Sequence, residues 1–197
     1  MRRYIAILLL VCLLIPLSAC KNRSIKEIKV NKNIILQRGF NISSDSTELN
    51  TSAKGTVFIK EVEGNPEEVQ IVASIKIDTN DWGGVAFYIA NDWNISNITS
   101  SYPENESQII PADYIETWTT SDLESEWSKR IEIGRDRNYV TTIGGTGTIV
   151  IDLFLDKELA PKPENFNIMV AVGSDEKEGV KIIETDNTQI SIPLTND

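Results

Sequence analysis

Histidine is absent from all 197 residues. That removes the Ser-His-Asp and Cys-His nucleophilic systems, the usual base near neutral pH and the commonest zinc ligand. Cysteine occurs only at Cys12 and Cys20, both near the start, so no pair remains to staple the body of the chain. No Gly-x-Ser-x-Gly elbow occurs either. Basic residues are scarce over most of the length. Of 19 bases and 29 acids, residues 1–33 hold seven bases (Arg2, Arg3, Lys21, Arg23, Lys26, Lys29, Lys32) and one acid, Glu27. That leaves 12 bases against 28 acids in residues 34–197, a net charge of −16. A phosphate backbone requires a basic footprint, and no basic run follows Lys32, which argues against nucleic acid as a partner. For catalysis there remain Ser-Lys chemistry and a carboxylate pair, and 28 acids single out no pair. The expectation is that this is not an enzyme.

Long apolar runs are also missing, with one exception. Residues Tyr4 to Leu17 are apolar apart from Pro16 and follow Met1-Arg2-Arg3. A membrane span needs about 20 apolar residues, so this shorter, proline-broken run behind a basic start reads as an export signal. Its end, Leu17-Ser18-Ala19-Cys20, resembles the bacterial lipobox. The resemblance implies cleavage after Ala19, a lipid thioether on Cys20, and a protein held at the extracytoplasmic face of the cell membrane. Residues 20–33 then form a basic tether, gaining about 1 kcal/mol per charge beside an anionic leaflet. Of the 197 residues, 19 are lost with the signal, and the remaining 178 suffice for one substantial core.

After residue 50 the commonest pattern is alternation at period two, the pattern of a half-buried strand. Val69, Ile71, Ala73, Ile75 and Ile77 share one face. So do Val85, Phe87 and Ile89, then Ile149, Ile151, Leu153 and Leu155, then Phe166, Ile168, Val170 and Val172, and last Ile190, Ile192 and Leu194. Shorter strands are expected at Ile34–Gln37, Thr56–Val62, Ile95–Thr99, Lys129–Ile133 and Tyr139–Ile143. Breakers fall at Gly64-Asn65-Pro66, Gly83-Gly84, Gly144-Gly145-Thr146-Gly147, Pro161-Lys162-Pro163 and Gly173-Ser174-Asp175. The expected fold is all-β, a single antiparallel β-sandwich of immunoglobulin-like or jelly-roll type over residues 34–197. At most one short helix is expected, near residues 121–128, where Ser121-Asp122-Leu123-Glu124 fits a capping box. Residues 100–128 otherwise read as an extended connection.

Two loops invite specific chemistry. Gly144-Gly145-Thr146-Gly147 lacks the lysine of a phosphate loop and leads into a strand, so a hairpin turn is expected. Asp78-Thr79-Asn80-Asp81-Trp82-Gly83 begins like an EF-hand. Position 5 is Trp82 and position 12 is Ile89, however, so that motif is excluded. A looser calcium site on Asp78, Asn80 and Asp81, with Asp92, stands beside the plainer reading of Asp and Asn as turn residues. The Asp175, Glu176 and Glu178 cluster is weaker still.

All four tryptophans, Trp82, Trp93, Trp118 and Trp127, fall between residues 82 and 127. Planar aromatics stack on the C–H faces of sugar rings, and nearby Asp or Asn can bond the hydroxyls. Trp82 and Trp93, each beside an acid (Asp81, Asp92), are the candidate ligand-binding residues. Burial in the core is the competing reading for each. The alternation and the Trp/Asn-rich loops are similar to immunoglobulin-like, cohesin-like and carbohydrate-binding sandwiches, but no motif carries that likeness residue by residue and it transfers no site. The functional expectation is a lipid-anchored, non-catalytic module binding an extracellular ligand or a protein partner. The alternatives are a carbohydrate binder, calcium-assisted or with no cofactor, and a structural subunit of an envelope complex that offers a sheet edge for strand addition.

Overall fold

The computed structural model describes residues 33–104, 114–120, 125–136, 144–160, 162–177 and 180–194. The export signal, Cys20 and the tether up to Lys32 lie outside these residues, as do Ser121–Glu124, Tyr139–Ile143 and Glu178. Ten strands follow one another: β1 (Ile34–Ser43), β2 (Ser52–Val62), β3 (Asn65–Ile77), β4 (Val85–Ala90), β5 (Trp93–Ser100), β6 (Ile115–Thr119), β7 (Trp127–Ile133), β8 (Gly145–Leu155), β9 (Asn165–Lys177) and β10 (Val180–Pro193). They form two antiparallel five-stranded sheets, ordered β1-β2-β3-β8-β5 and β10-β9-β4-β7-β6.

Period-two alternation builds the core. The odd positions of β3 and β8, from Val69 to Ile77 and from Ile149 to Leu155, are buried together with Val85, Phe87 and Ile89 of β4 and Phe166, Ile168, Val170 and Val172 of β9. Each sheet turns one apolar face to the other, so the two faces exclude water from a common layer. The fold is the β-sandwich that the alternation predicts.

Strand order decides between the two expected plans. An immunoglobulin sandwich places strands A-B-E-D in one sheet and C-F-G in the other. Here β2-β3-β8-β5 and β4-β9-β10 take those places in the same chain order. Two additions lie outside the seven-strand plan. Strand β1 flanks β2, and the β6–β7 pair flanks β4, entering the chain between the D and E strands.

Four sequence expectations are corrected. From Trp127 the chain is strand β7, not the end of a helical turn. Residues 100–128 are not a plain connection, since β6 lies within them. The Gly144–Gly147 stretch is no hairpin turn. Gly145 opens β8 opposite Ile77, and Gly147 pairs with Ile75. A side chain at Gly147 would meet the backbone nitrogen of Tyr102 at 2.7 Å, so close packing explains that glycine. Finally, Gly173-Ser174-Asp175 does not break the chain but lies inside β9, opposite a bulge between Ile183 and Asp186 of β10. Cross-strand pairing outweighs the local preference for a turn.

Candidate functional site

The residues singled out in the sequence are separated by the fold. Asp78, Asn80, Asp81 and Trp82 lie on the β3–β4 connection, while Asp92 and Trp93 lie at the β4–β5 junction. An extended strand of six residues, about 20 Å at 3.3 Å per residue, stands between them. They do not form one platform. Trp93 is 0% exposed and packs edge-on against Phe166, with ring centroids 5.3 Å apart. Trp82 is 6% exposed, and the Lys181 ammonium sits 5.7 Å from its ring centroid. Neither offers a free ring face to a sugar, since both are buried.

Asp81 has a different task. Its carboxylate is fully buried and accepts from the Thr51 hydroxyl, from the Gly83 and Gly84 amides at 2.7 and 3.0 Å, and from the Ser174 hydroxyl at 2.6 Å. Four donors occupy its lone pairs, which ties the start of β2, the β3–β4 loop and β9 together. Asp78, more open, accepts from the backbone amides of Asn80 and Asn50 at 2.9 and 3.0 Å. Those amides hold its carboxyl below the usual carboxylate range. Among the described residues no group of three His, Cys, Asp or Glu side chains is placed to hold a metal ion. Ser174 and Lys177 have the Ser-x-x-Lys spacing of one class of serine nucleophile. Ser174, however, is buried and its hydroxyl donates a hydrogen bond to Asp81.

Among the described residues a concavity lies elsewhere, on the outer side of the second sheet. A groove of about 580 Å³ is lined chiefly by Tyr88 of β4, Trp118 and Thr119 of β6, and Trp127, Arg130 and Glu132 of β7, with Ser125 and Arg135 near its ends. Register explains the grouping. Trp118 pairs with Arg130, and Arg130 with Tyr88, so all three point outward in one row. Glu132 stands in the next row, beside Ala86 and Ala171, whose small side chains leave room over the sheet. Arg130 lies over the Tyr88 ring at 4.8 Å, a cation–π contact.

An ion network floors the groove. Glu132, only 3% exposed, accepts from Trp118 Nε1 at 3.1 Å and pairs with Arg130 at 2.9 Å and with Arg135. The second carboxylate comes from Glu184 on the far strand β10. It pairs with Arg130, with Arg135 at 3.4 Å, and accepts a hydrogen bond from the Tyr88 hydroxyl. Glu184 reaches there because it sits in the β10 bulge with a left-handed backbone, φ 59°. Bulges re-aim side chains in this way. Opposite it, Gly173 must lack a side chain, since a Cβ there would meet Ser44 at 2.9 Å and Thr185 at 3.4 Å. Burial raises the Tyr88 phenol above its ordinary range, opposed by the charge of Arg130, so Tyr88 stays a neutral donor. Lys129 directs its ammonium to the Ser128 hydroxyl at 3.1 Å and the Asn91 carbonyl at 3.4 Å. Burial lowers its pKa, while Asp156 and Asp92 counter that.

Above this floor the Trp118 indole remains 43% exposed. Its nitrogen donates to Glu132 at 3.1 Å, which orients the ring over the floor. None of the candidates Trp82, Trp93, Asp81 and Asp92 lines the groove, while Trp118 and Trp127, noted in the sequence only as part of the tryptophan-rich segment, do. Arg130, Glu132 and Arg135 were missed. The first two alternate with buried Ile131 and Ile133, a signal for outward placement though not for partnership.

No family model matches this sequence, and no curated protein matches it. Among solved structures the chain is similar to one from work on pH-induced modulation of Streptococcus parasanguinis adhesion by Fap1 fimbriae. The identity is 12% and the TM-score 0.32, over 82% of this chain and 100% of that one. It is also similar to ACE19, the collagen-binding subdomain of the Enterococcus faecalis surface protein ACE. There the identity is 10% and the TM-score 0.31, over 66% of this chain and 88% of that one.

Proposed function

We propose that this protein is a lipid-anchored, extracytoplasmic, non-catalytic binding module whose ligand docks in the groove over β4, β7 and β6. One observation carries the reading. The strand pair added to the immunoglobulin plan builds an aromatic-walled groove of about 580 Å³, within the range of ligand sites. Its charged groups bear on catalysis as well. Glu132 and Glu184 are both committed to arginines, so neither is free to act as nucleophile or acid. The anchor rests on the lipobox-like residues Leu17 to Cys20. Cys20→Ala is expected to abolish incorporation of radiolabelled palmitate and to release the protein from membranes.

For the groove, the decisive experiment is saturable binding of the mature chain, fluorescently labelled, to envelopes of the producing cell. Trp118→Ala is expected to weaken that binding roughly tenfold, as loss of a central aromatic contact does, without unfolding the protein. Binding that is indifferent to Trp118 would remove the groove from the proposal. A second reading, strand addition to the exposed edge β6, predicts tolerance of Trp118→Ala and loss of a copurifying protein on Thr117→Pro.

A further inference from the structure

We infer that the ligand of this groove is an extended, basic polypeptide segment that adds as a strand to the edge of β6 and lays a lysine or arginine side chain against Trp118. The inference rests on the groove reading above and names the ligand's class, joining the β6 edge and the groove into one site. Strands β1, β5, β10 and β6 end the two sheets. An unguarded edge pairs with other chains, and bulges or covering side chains prevent that. The β1 register shifts between Ile34 and Leu36, that of β5 between Ile95 and Asn97, and that of β10 between Ile183 and Asp186. Strand β10 is also held from the side. Arg38 of β1 donates to the Ser191 carbonyl at 3.1 Å, and the Ser46 amide donates to Asp186 at 2.9 Å. Among the described residues β6 is the edge with an unbroken register, from Ile115 opposite Ile133 to Thr119 opposite Lys129. It contains no proline, lysine or arginine, and Glu116 to Thr119 are exposed.

Alternation fixes which backbone groups face the open side. The Thr120 amide donates to the Ser128 carbonyl and the Gly134 amide to the Tyr114 carbonyl, with Trp118 opposite Arg130 between them. In an antiparallel ladder the even positions of β6 therefore bond to β7. The odd ones, Ile115, Thr117 and Thr119, turn their N–H and C=O groups outward. The residue of an added strand opposite Trp118 then forms a non-hydrogen-bonded pair with it, at a Cα separation of about 4.5 Å, where side chains lie closest. Directly opposite residues share a face, so that side chain rests against the indole, which remains 43% exposed.

Charge selects the segment. Residues 34–197 carry 12 bases and 28 acids, a net of −16, which attracts a basic partner and repels an acidic one, a second copy of this domain included. The groove floor does not reverse this, since Arg130 and Arg135 stand against Glu132 and Glu184. A lysine or arginine over an indole gains a cation–π contact, for which tryptophan is the best ring. The domain itself uses that contact, with Arg130 over Tyr88 at 4.8 Å and Lys181 beside Trp82 at 5.7 Å.

The test screens the mature chain against an array of synthetic peptides with lysine or arginine at alternate positions and threonine, valine, isoleucine or tyrosine between them. A matched array carries glutamate in place of the bases. The tightest basic peptide is expected to saturate tryptophan fluorescence and to bind at least roughly tenfold more tightly than its glutamate counterpart. Raising salt from about 0.05 M to about 0.5 M should weaken it severalfold, because screening removes the attraction. On binding, amide hydrogen exchange at Thr117 and Thr119 should slow, whereas that of Thr120, already given to Ser128, should change little. N-methylation of the peptide's alternate amides should abolish binding in one phase and spare it in the other. Trp118→Ala should weaken binding roughly tenfold. Thr117→Pro, which removes no bond to β7, should abolish it while the protein stays folded. Silence across the basic array, preference for glutamate, or unprotected amides at Thr117 and Thr119 would each overturn the inference. If envelope binding still depends on Trp118 in that case, the groove reading stands and the ligand class alone is wrong. Binding lost in Thr117→Pro but kept in Trp118→Ala would overturn the inference and the groove reading together.

Discussion

Trp82 and Trp93 stand at the two ends of β4 and are buried, whereas Trp118 and Trp127 stand on the added strands β6 and β7 and line the groove. The four side chains are chemically identical. What separates them is the layer they face. Trp93 turns inward, where the opposite sheet covers it and Phe166 packs against its ring. Trp118 turns outward from an edge strand, is tethered by its nitrogen to Glu132, and keeps part of its ring accessible. The core of an immunoglobulin-like sandwich thus consumes its own aromatics, and strands appended beside that core supply the ones available for recognition.

The sharpest way to break this comparison is to truncate one tryptophan of each kind. Trp93→Ala is expected to cost about 3–5 kcal/mol of unfolding free energy, the range for a large buried aromatic. Trp118→Ala should cost under about 1 kcal/mol but remove ligand. Denaturant titration of both variants reads the contrast directly, and comparable losses would place Trp118 in the fold rather than the site.

Next in size is the ion network. Glu132→Ala leaves Arg130 and Arg135 short of a buried partner and is expected to destabilise by about 3 kcal/mol. A double change, Glu132→Leu with Arg135→Met, should recover most of that loss while still disturbing Trp118, because its nitrogen loses its acceptor. Recovery of stability without recovery of ligand binding would separate the floor's structural role from its role in orienting the indole.

Asp81 offers a milder test at the opposite end of β4. Asp81→Asn removes one acceptor oxygen from a buried set of four donors, a loss of about 1–3 kcal/mol. Addition of calcium or chelator should leave the wild-type midpoint unchanged, since those oxygens are already taken. A calcium-dependent rise in the midpoint would return Asp81 to the list of metal ligands.

The smallest expected effect is at Asp78. Its folded-state pKa is depressed by the backbone amides of Asn80 and then Asn50. A depressed carboxyl contributes stability above its unfolded pKa, near 3.8, and that contribution disappears as pH falls through the lower folded value. Asp78→Asn should therefore flatten the acid limb of a stability profile below pH about 4 and leave the neutral region little changed. The group is nearly exposed, so the change in slope should be slight.

The strands were legible because burial on one face imposes period two on the sequence itself. Val69 to Ile77 and Ile149 to Leu155 display that period, and both are strands with those residues inside. Glycine clusters misled for a local reason: Gly147 and Gly173 answer to neighbours distant in the chain, Tyr102 for one and Ser44 for the other, and no local rule sees them. The pairing of Trp with Asp at residues 81–82 and 92–93 looked like a binding platform only while the strand between them was ignored. The groove was half visible. Trp118 and Trp127 belonged to the tryptophan-rich segment, but Glu184 lies 96 residues from Tyr88 and enters the site through a bulge.

By itself the amino-acid sequence determined the sandwich class, the acidic body, the histidine-free chemistry and the lipobox-like start, because each follows from composition or from short-range periodicity. Only the tertiary structure decided which tryptophans are buried, which acids are tied up and where a ligand has room. Those outcomes depend on strand order and cross-strand register, which bring side chains from β4, β6, β7 and β10 onto one face, and such proximity is not encoded in any single stretch of the chain.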